Sequence, residues 1–243
     1  MEETHKIPRR TIISLLVSAL LTVAVLVGTV LIGDENYYLA SIVVIIFTLM
    51  PFFASFEGRR PQARELVTLA VLIAIAVVAR SAFFWLPAFK PMTAMIIIAG
   101  IALGAEAGFV CGSLSAFVSN FLFGQGPWTP WQMLAYGLAG LVAGLLAQKG
   151  VIPRHDLTNK QKMILGVASA AFVLLVVGPI LDTCAVFTMP ADEMVHYTVG
   201  AIYLSGFPIN CVHALATFVT LFVVANPMLD KLERMRVKYG MLS

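Results

Sequence analysis

Residues 11–32 run for 22 positions without a charged side chain. At about 1.5 Å of rise per residue, a helix of that length crosses the roughly 30 Å hydrocarbon core of a bilayer. The stretch is longer and more uniformly apolar than the core of a secretory signal, which runs to about 7–15 residues, and no small-residue cleavage site follows it. It is therefore read as a retained span. Seven further apolar segments follow, at residues 39–56, 66–84, 91–103, 107–123, 131–147, 163–181 and 201–224. Pro51 should kink the second or bring its end to the interface. The fourth, 91–103, is about 20 Å long if helical, short for a crossing on its own. Of the 243 residues, 60% are apolar and 12% charged, against about 25% charged in soluble domains. The fold class is all-α integral membrane protein. Cys111, Cys184 and Cys211 are too few and too scattered for a disulfide framework or a zinc site, and read as packing residues.

Orientation follows from the basic residues, because loops rich in Lys and Arg stay in the cytoplasm. Lys6, Arg9 and Arg10 precede the first span, and Arg59, Arg60 and Arg64 separate the second from the third. Lys149, Arg154, Lys160 and Lys162 separate the sixth from the seventh, and Lys231, Arg234, Arg236 and Lys238 follow the eighth. Eight spans with both termini cytoplasmic put all of these on one side. Arg80 and Lys90 alone remain for the other.

That other face is where a ligand is expected. Pro87, Pro91, Gly124, Gly126, Pro127 and Pro130 punctuate it, and irregular backbone at membrane depth is tolerated only in protein or beside a wet cavity. Trp85, Trp128 and Trp131, the chain's three tryptophans, all fall there. An aromatic belt at the lipid interface would explain them. Gln125 and Gln132 beside two of them, with Asn120 one segment earlier, favour a lined pocket, since ligand sites combine apolar rings with a few placed polar groups. Arg80, at the end of an uncharged run, either snorkels to the interface or meets an anionic or carbonyl-rich ligand or Asp182. For Lys90 snorkelling is the simpler account. The candidate binding set is Arg80, Trp85, Asn120, Gln125, Trp128, Trp131, Gln132, Tyr136 and Asp182. The connection from Asp182 to Tyr197, with Met189, Pro190 and Glu193, is a candidate mobile cover.

Small residues carry a second message. Ala70, Ala74, Ala76 and Ala79 let another helix approach closely, within this chain or from a partner. Gly100, Gly104, Gly108 and Gly112, broken by a turn expected at Glu106, read as internal packing, as do Gly137, Gly140 and Gly144. The chain has no GxxxxGK[ST] loop for nucleotide, and no HExxH, catalytic triad or paired intramembrane carboxylate. His5, His155, His196 and His213 lack metal-ligand spacing, and His213 reads as a hydrogen-bonded core residue. No relay of ionisable groups runs through the membrane as an ion-coupled carrier would need. Neither an enzyme nor a permanently bound cofactor is expected.

The run LVTLAVLIAIAVVAR with Ala70-xxx-Ala74, the run IIIAGIALGAEAGFVCGSLSAFVSNFLF, and the GPWTPWQM turn leading into GLAGLVAGLL together resemble the substrate-binding S-component of energy-coupling-factor (ECF) vitamin transporters. The resemblance is close over about a third of the chain and looser over the last two spans. It implies a six-helix core formed by the third to eighth spans, residues 63–243, preceded by a two-helix extension, residues 1–62, that departs from the pattern. It also implies a subunit in the bacterial cell membrane that binds a vitamin from outside and joins a transmembrane scaffold and two ATPases. Ala70 and Ala74 would dock on the scaffold, ATP would be used by the partners, and the whole subunit would rotate in the membrane to release its ligand. The FGQGPWTPWQM turn is most similar to the cobalamin branch, which implies a corrinoid; riboflavin, pyridoxine and a stand-alone carrier are the alternatives.

Overall fold

The computed structural model describes residues 62–189 and 198–239, with positions 13, 17, 46, 49, 50, 53, 56 and 57 before them. Nearly all of the first expected span, most of the second, and residues 190–197 of the expected cover lie outside the described residues. Within them the chain is helical, with no strand. The elements are α1 (Ala63–Ala82), α2 (Met92–Leu103), α3 (Ala105–Phe123), α4 (Trp128–Gln148), α5 (Asn159–Phe172), a π turn (Val173–Val177), α6 (Gly178–Thr188) and α7 (Val199–Tyr239). Among the described residues five helices are long and apolar enough to cross a membrane: Ala63–Ala82, Ala105–Phe123, Trp128–Gln148, the continuous Asn159–Thr188, and Val199–Lys238. The protein is a multi-pass membrane protein.

The short α2 lies at the centre. All 12 of its residues are buried, as expected of a helix apolar all round. Its chain reverses at Gly104, whose φ of 93° suits a residue without a Cβ. The break therefore falls at Gly104, and Glu106, expected to mark the turn, instead sits buried in the first turn of α3. The glycines set how closely α2, α3 and α4 pack. A methyl group at Gly100 would run into the carbonyl of Gly140, one at Gly140 into that of Gly108, and one at Gly112 into that of Tyr136. This backbone-to-backbone approach is what small residues allow between helices in lipid.

The seventh span is longer than the expected 163–181. The helix continues past Asp182 to Thr188, so the first part of the expected cover is helix and Asp182 lies within a span. Pro179 explains the irregularity before it: without an N–H it cannot bond the carbonyl one turn back, and the widened π turn accommodates its ring. At the other end, Thr158 and Gln161 form a capping box that starts α5.

The connection after α4 is tied down on α7. The Asn226 side chain accepts from the Leu157 N–H at 3.0 Å and donates to its carbonyl at 2.8 Å, and Asp230 accepts from the Asp156 N–H at 3.1 Å. Arg236 pairs with Glu233 at 2.8 Å. Burial and the neighbouring Arg236 hold the nearby Arg154 guanidinium below its usual range, against the pull of Glu233. Before α1, Leu49 is buried with Ala105, Phe109 and Leu141, and Phe53 packs on the same cluster.

Candidate functional site

Helices that alternate in direction bring the end of α1, the start of α2, the end of α3, the start of α4, the end of α6 and the start of α7 to one end of the bundle, here called the upper end. The polar side chains expected from sequence gather there. Arg80, in the last turn of α1, reaches across to α3. Its Nη1 donates to Ser119 Oγ and to Asn120 Oδ1, the latter at 3.0 Å, and the guanidinium lies 4.5 Å from the Phe123 ring centre. Asn120, only 1% exposed, passes the connection to α4, donating through Nδ2 to Thr129 Oγ1 and Gln132 Oε1, both at 2.9 Å. Thr129 donates to Gln125 Oε1 at 2.9 Å, and Gln125 Nε2 donates to the Phe117 carbonyl at 3.0 Å.

One connected network thus fixes three helices around Asn120. Buried amides cost about 1–3 kcal/mol each when left unpaired, so the pairing keeps Arg80 and Gln132 in defined positions. Ser119 and Thr129 belong to this network and were not singled out in the sequence. Only their nearness to Asn120 and Gln132 signals them.

A second group lies where α4, α6 and α7 meet. The Trp131 ring stacks on Phe187 with centroids 5.8 Å apart and planes at 21°. Its indole N–H is buried and has no hydrogen-bond partner among the described residues. Tyr136, 1% exposed, meets His213 edge-on at 5.9 Å, and the His213 Nε2 lies 2.7 Å from Thr93 Oγ1. Asp182 accepts from Asn210 Nδ2 at 2.8 Å, and Thr183 shares a 2.6 Å hydrogen bond with the Tyr203 hydroxyl. Among the described residues Arg80 and Asp182 form no ion pair; each is held by a different neighbour.

The remaining expected residues lie apart from both groups. Trp85 is 65% exposed and donates to Ala82 O in its own turn; Trp128 is 41% exposed and donates to Gly124 O. Both occupy the surface of the upper end. Ala70 and Ala74 are exposed on α1, in one stripe with Leu66, Val67, Val71, Ile75 and Val78, whereas Ala76 is buried. A separate groove of about 450 Å³, lined by Ile46, Leu49, Met50, Phe53, Glu57, Pro130 and Met133, is almost wholly apolar and offers none of the network's amides.

What the upper end can do is bind. It presents a fixed cation, several amides, a buried indole donor and stacked rings, the combination expected of a site for an amphipathic organic molecule. The model of a family described as "ECF-type riboflavin transporter, S component" matches residues 61–234. A UPF0397 protein of Vibrio atlanticus (strain LGP32) is 27% identical over 107 residues, covering 39% of this chain and 58% of the relative. The match thus spans little more than half of that relative's length. No solved structure matches.

Proposed function

We propose, from the premise that the chain belongs to the ECF-type riboflavin transporter S-component family, that it is the vitamin-capturing membrane subunit of an ECF importer. That family is a transporter family and not an enzyme family. In this reading residues 63–243 form the six-helix binding core, with residues 1–62 added in front. The upper end faces outside, and both termini lie in the cytoplasm of a bacterial cell. The observation that carries it is the Arg80–Asn120–Gln132 network beside the Trp131–Phe187 stack, gathered at one end of an otherwise apolar bundle. Arg80, Asn120, Gln132, Trp131, Tyr136 and Asp182 hold the ligand. Trp85, Gln125 and Trp128 shape the rim around it.

A transmembrane scaffold subunit and two ATPases supply the energy. Ala70 and Ala74 dock on the scaffold, consistent with their exposure on the outer stripe of α1. For the ligand there are two readings. The FGQGPWTPWQM turn carries the corrinoid. A smaller, planar flavin is favoured by the family's description, by the parallel Trp131–Phe187 rings, and by the way Gln125 and Thr129 bond each other inside that turn.

Reconstitution separates this function from a stand-alone carrier. Proteoliposomes holding the chain alone should bind labelled riboflavin or cobalamin without accumulating it, and accumulation should appear when scaffold, ATPases and ATP are added. Accumulation by the chain alone would establish the carrier instead.

A further inference from the structure

The upper end holds two cations that the network does not neutralise. Arg80 spends Nη1 on two neutral acceptors, Ser119 and Asn120, and rests on the Phe123 ring. Its Nε and Nη2 make no hydrogen bond among the described residues. Lys90, half-buried just before α2, makes no hydrogen bond or ion pair there either. Both stand where α1 hands over to α2, Arg80 in the last turn of α1 and Lys90 two residues before the start of α2, and Thr93 of α2 lies 2.7 Å from His213 Nε2 on α7. Among the described residues the carboxylate of this end is Asp182, and it is engaged by Asn210 on α7.

Half-buried cations at membrane depth are costly without a counter-charge, and they mark sites for anions. A surface snorkel would leave Arg80 pointing into the headgroups. Here the side chain is turned inward and pinned on α3, with its remaining donors in a fork that suits a carboxylate or phosphate.

We propose that the ligand carries an anionic group, a carboxylate or a phosphate, held between Arg80 and Lys90 while its apolar body lies towards Trp131 and Tyr136. This rests on the vitamin-binding reading and narrows it to anionic vitamins or phosphorylated precursors. Asn120 then acts as a positioning residue, aiming the guanidinium through its 3.0 Å bond.

The test is calorimetric titration of the purified full chain with matched pairs: riboflavin 5′-phosphate and riboflavin, pantothenate and pantothenol, biotin and biotinamide. The tightest ligand should be an anion, bound about 10–100-fold more tightly than its neutral partner, the range of one or two charge-assisted hydrogen bonds. Lys90→Gln should shrink that ratio while sparing the neutral compound; Arg80→Gln should cost the anion more than the neutral compound, and Arg80→Lys should restore part of that difference. Because Lys90 makes no hydrogen bond or ion pair among the described residues, Lys90→Gln gives an answer even if Arg80→Gln fails to fold. A neutral compound bound as tightly as its anion overturns the inference and leaves the vitamin-binding function standing. So does a loss on Arg80→Gln that is equal for both members of a pair. Failure of every pair to bind overturns the inference, and failure of cobalamin as well overturns the vitamin-binding reading with it.

Discussion

At the residue scale, the glycines of α2, α3 and α4 and the amides of the upper end work in opposite ways. The glycines matter for what they lack. Gly140→Ala should cost about 1–3 kcal/mol, as overpacking does in tight cores, because its methyl would meet the Gly108 carbonyl. Gly200→Ala, where nothing lies within 4 Å, should leave the melting temperature unchanged or raise it slightly. Equal melting of the two variants would mean that the close approach carries no stability. Asn120, Gln132 and Arg80 were legible in the sequence as polar residues stranded in apolar surroundings. Their pairing was not, since Arg80 finds Asn120 forty positions away and no local pattern encodes that distance. Trp85 and Trp128 were legible only by type. Indole side chains serve lipid interfaces and ligand pockets alike, and the structure places these two on the exposed rim.

At the element scale, the periodicity of small and apolar residues predicted most of the helices, because a span in lipid must be helical to satisfy its own backbone. The ends were less legible. Asp182 reads as a segment end because charges usually leave the membrane, yet Asn210 on α7 holds it inside a helix that continues to Thr188. The break before α3 was read from a charge, Glu106, when the geometry came from a glycine, Gly104. Helix α1 divides cleanly, with Leu69, Leu72 and Ala76 buried and the Ala70–Ala74 stripe exposed. Replacing Ala70 and Ala74 together with Leu should therefore leave folding and ligand binding intact while co-purification with the scaffold subunit falls. Unchanged co-purification would remove the docking role. Collapse of the monomer would show that the stripe serves internal packing.

At the scale of the whole molecule, the asymmetry between the two ends is the organising property. One end is strapped by Asn226 and Asp230, which hold the connection after α4. The other gathers cations, amides and rings. The apolar body between them, centred on a fully buried α2, lets such a bundle move in lipid as a unit, which the proposed rotation requires. The uneven distribution of Lys and Arg pointed to this polarity from the start. The identity of the ligand did not follow from it, because the side chains proposed to hold it come from four different helices, α1, α3, α4 and α6.

The central claim is that the upper end captures a vitamin without help from partner subunits. Its most direct test is a calorimetric titration of the purified chain, in detergent or nanodiscs, with riboflavin, riboflavin 5′-phosphate, pantothenate, biotin and cobalamin, repeated on Asn120→Ala. Saturable one-to-one binding of one of them is predicted, weakened by about tenfold or more when Asn120 no longer orients its partners. Binding that Asn120→Ala leaves untouched would move the site away from the network. No binding of any of them by the folded chain would contradict the account.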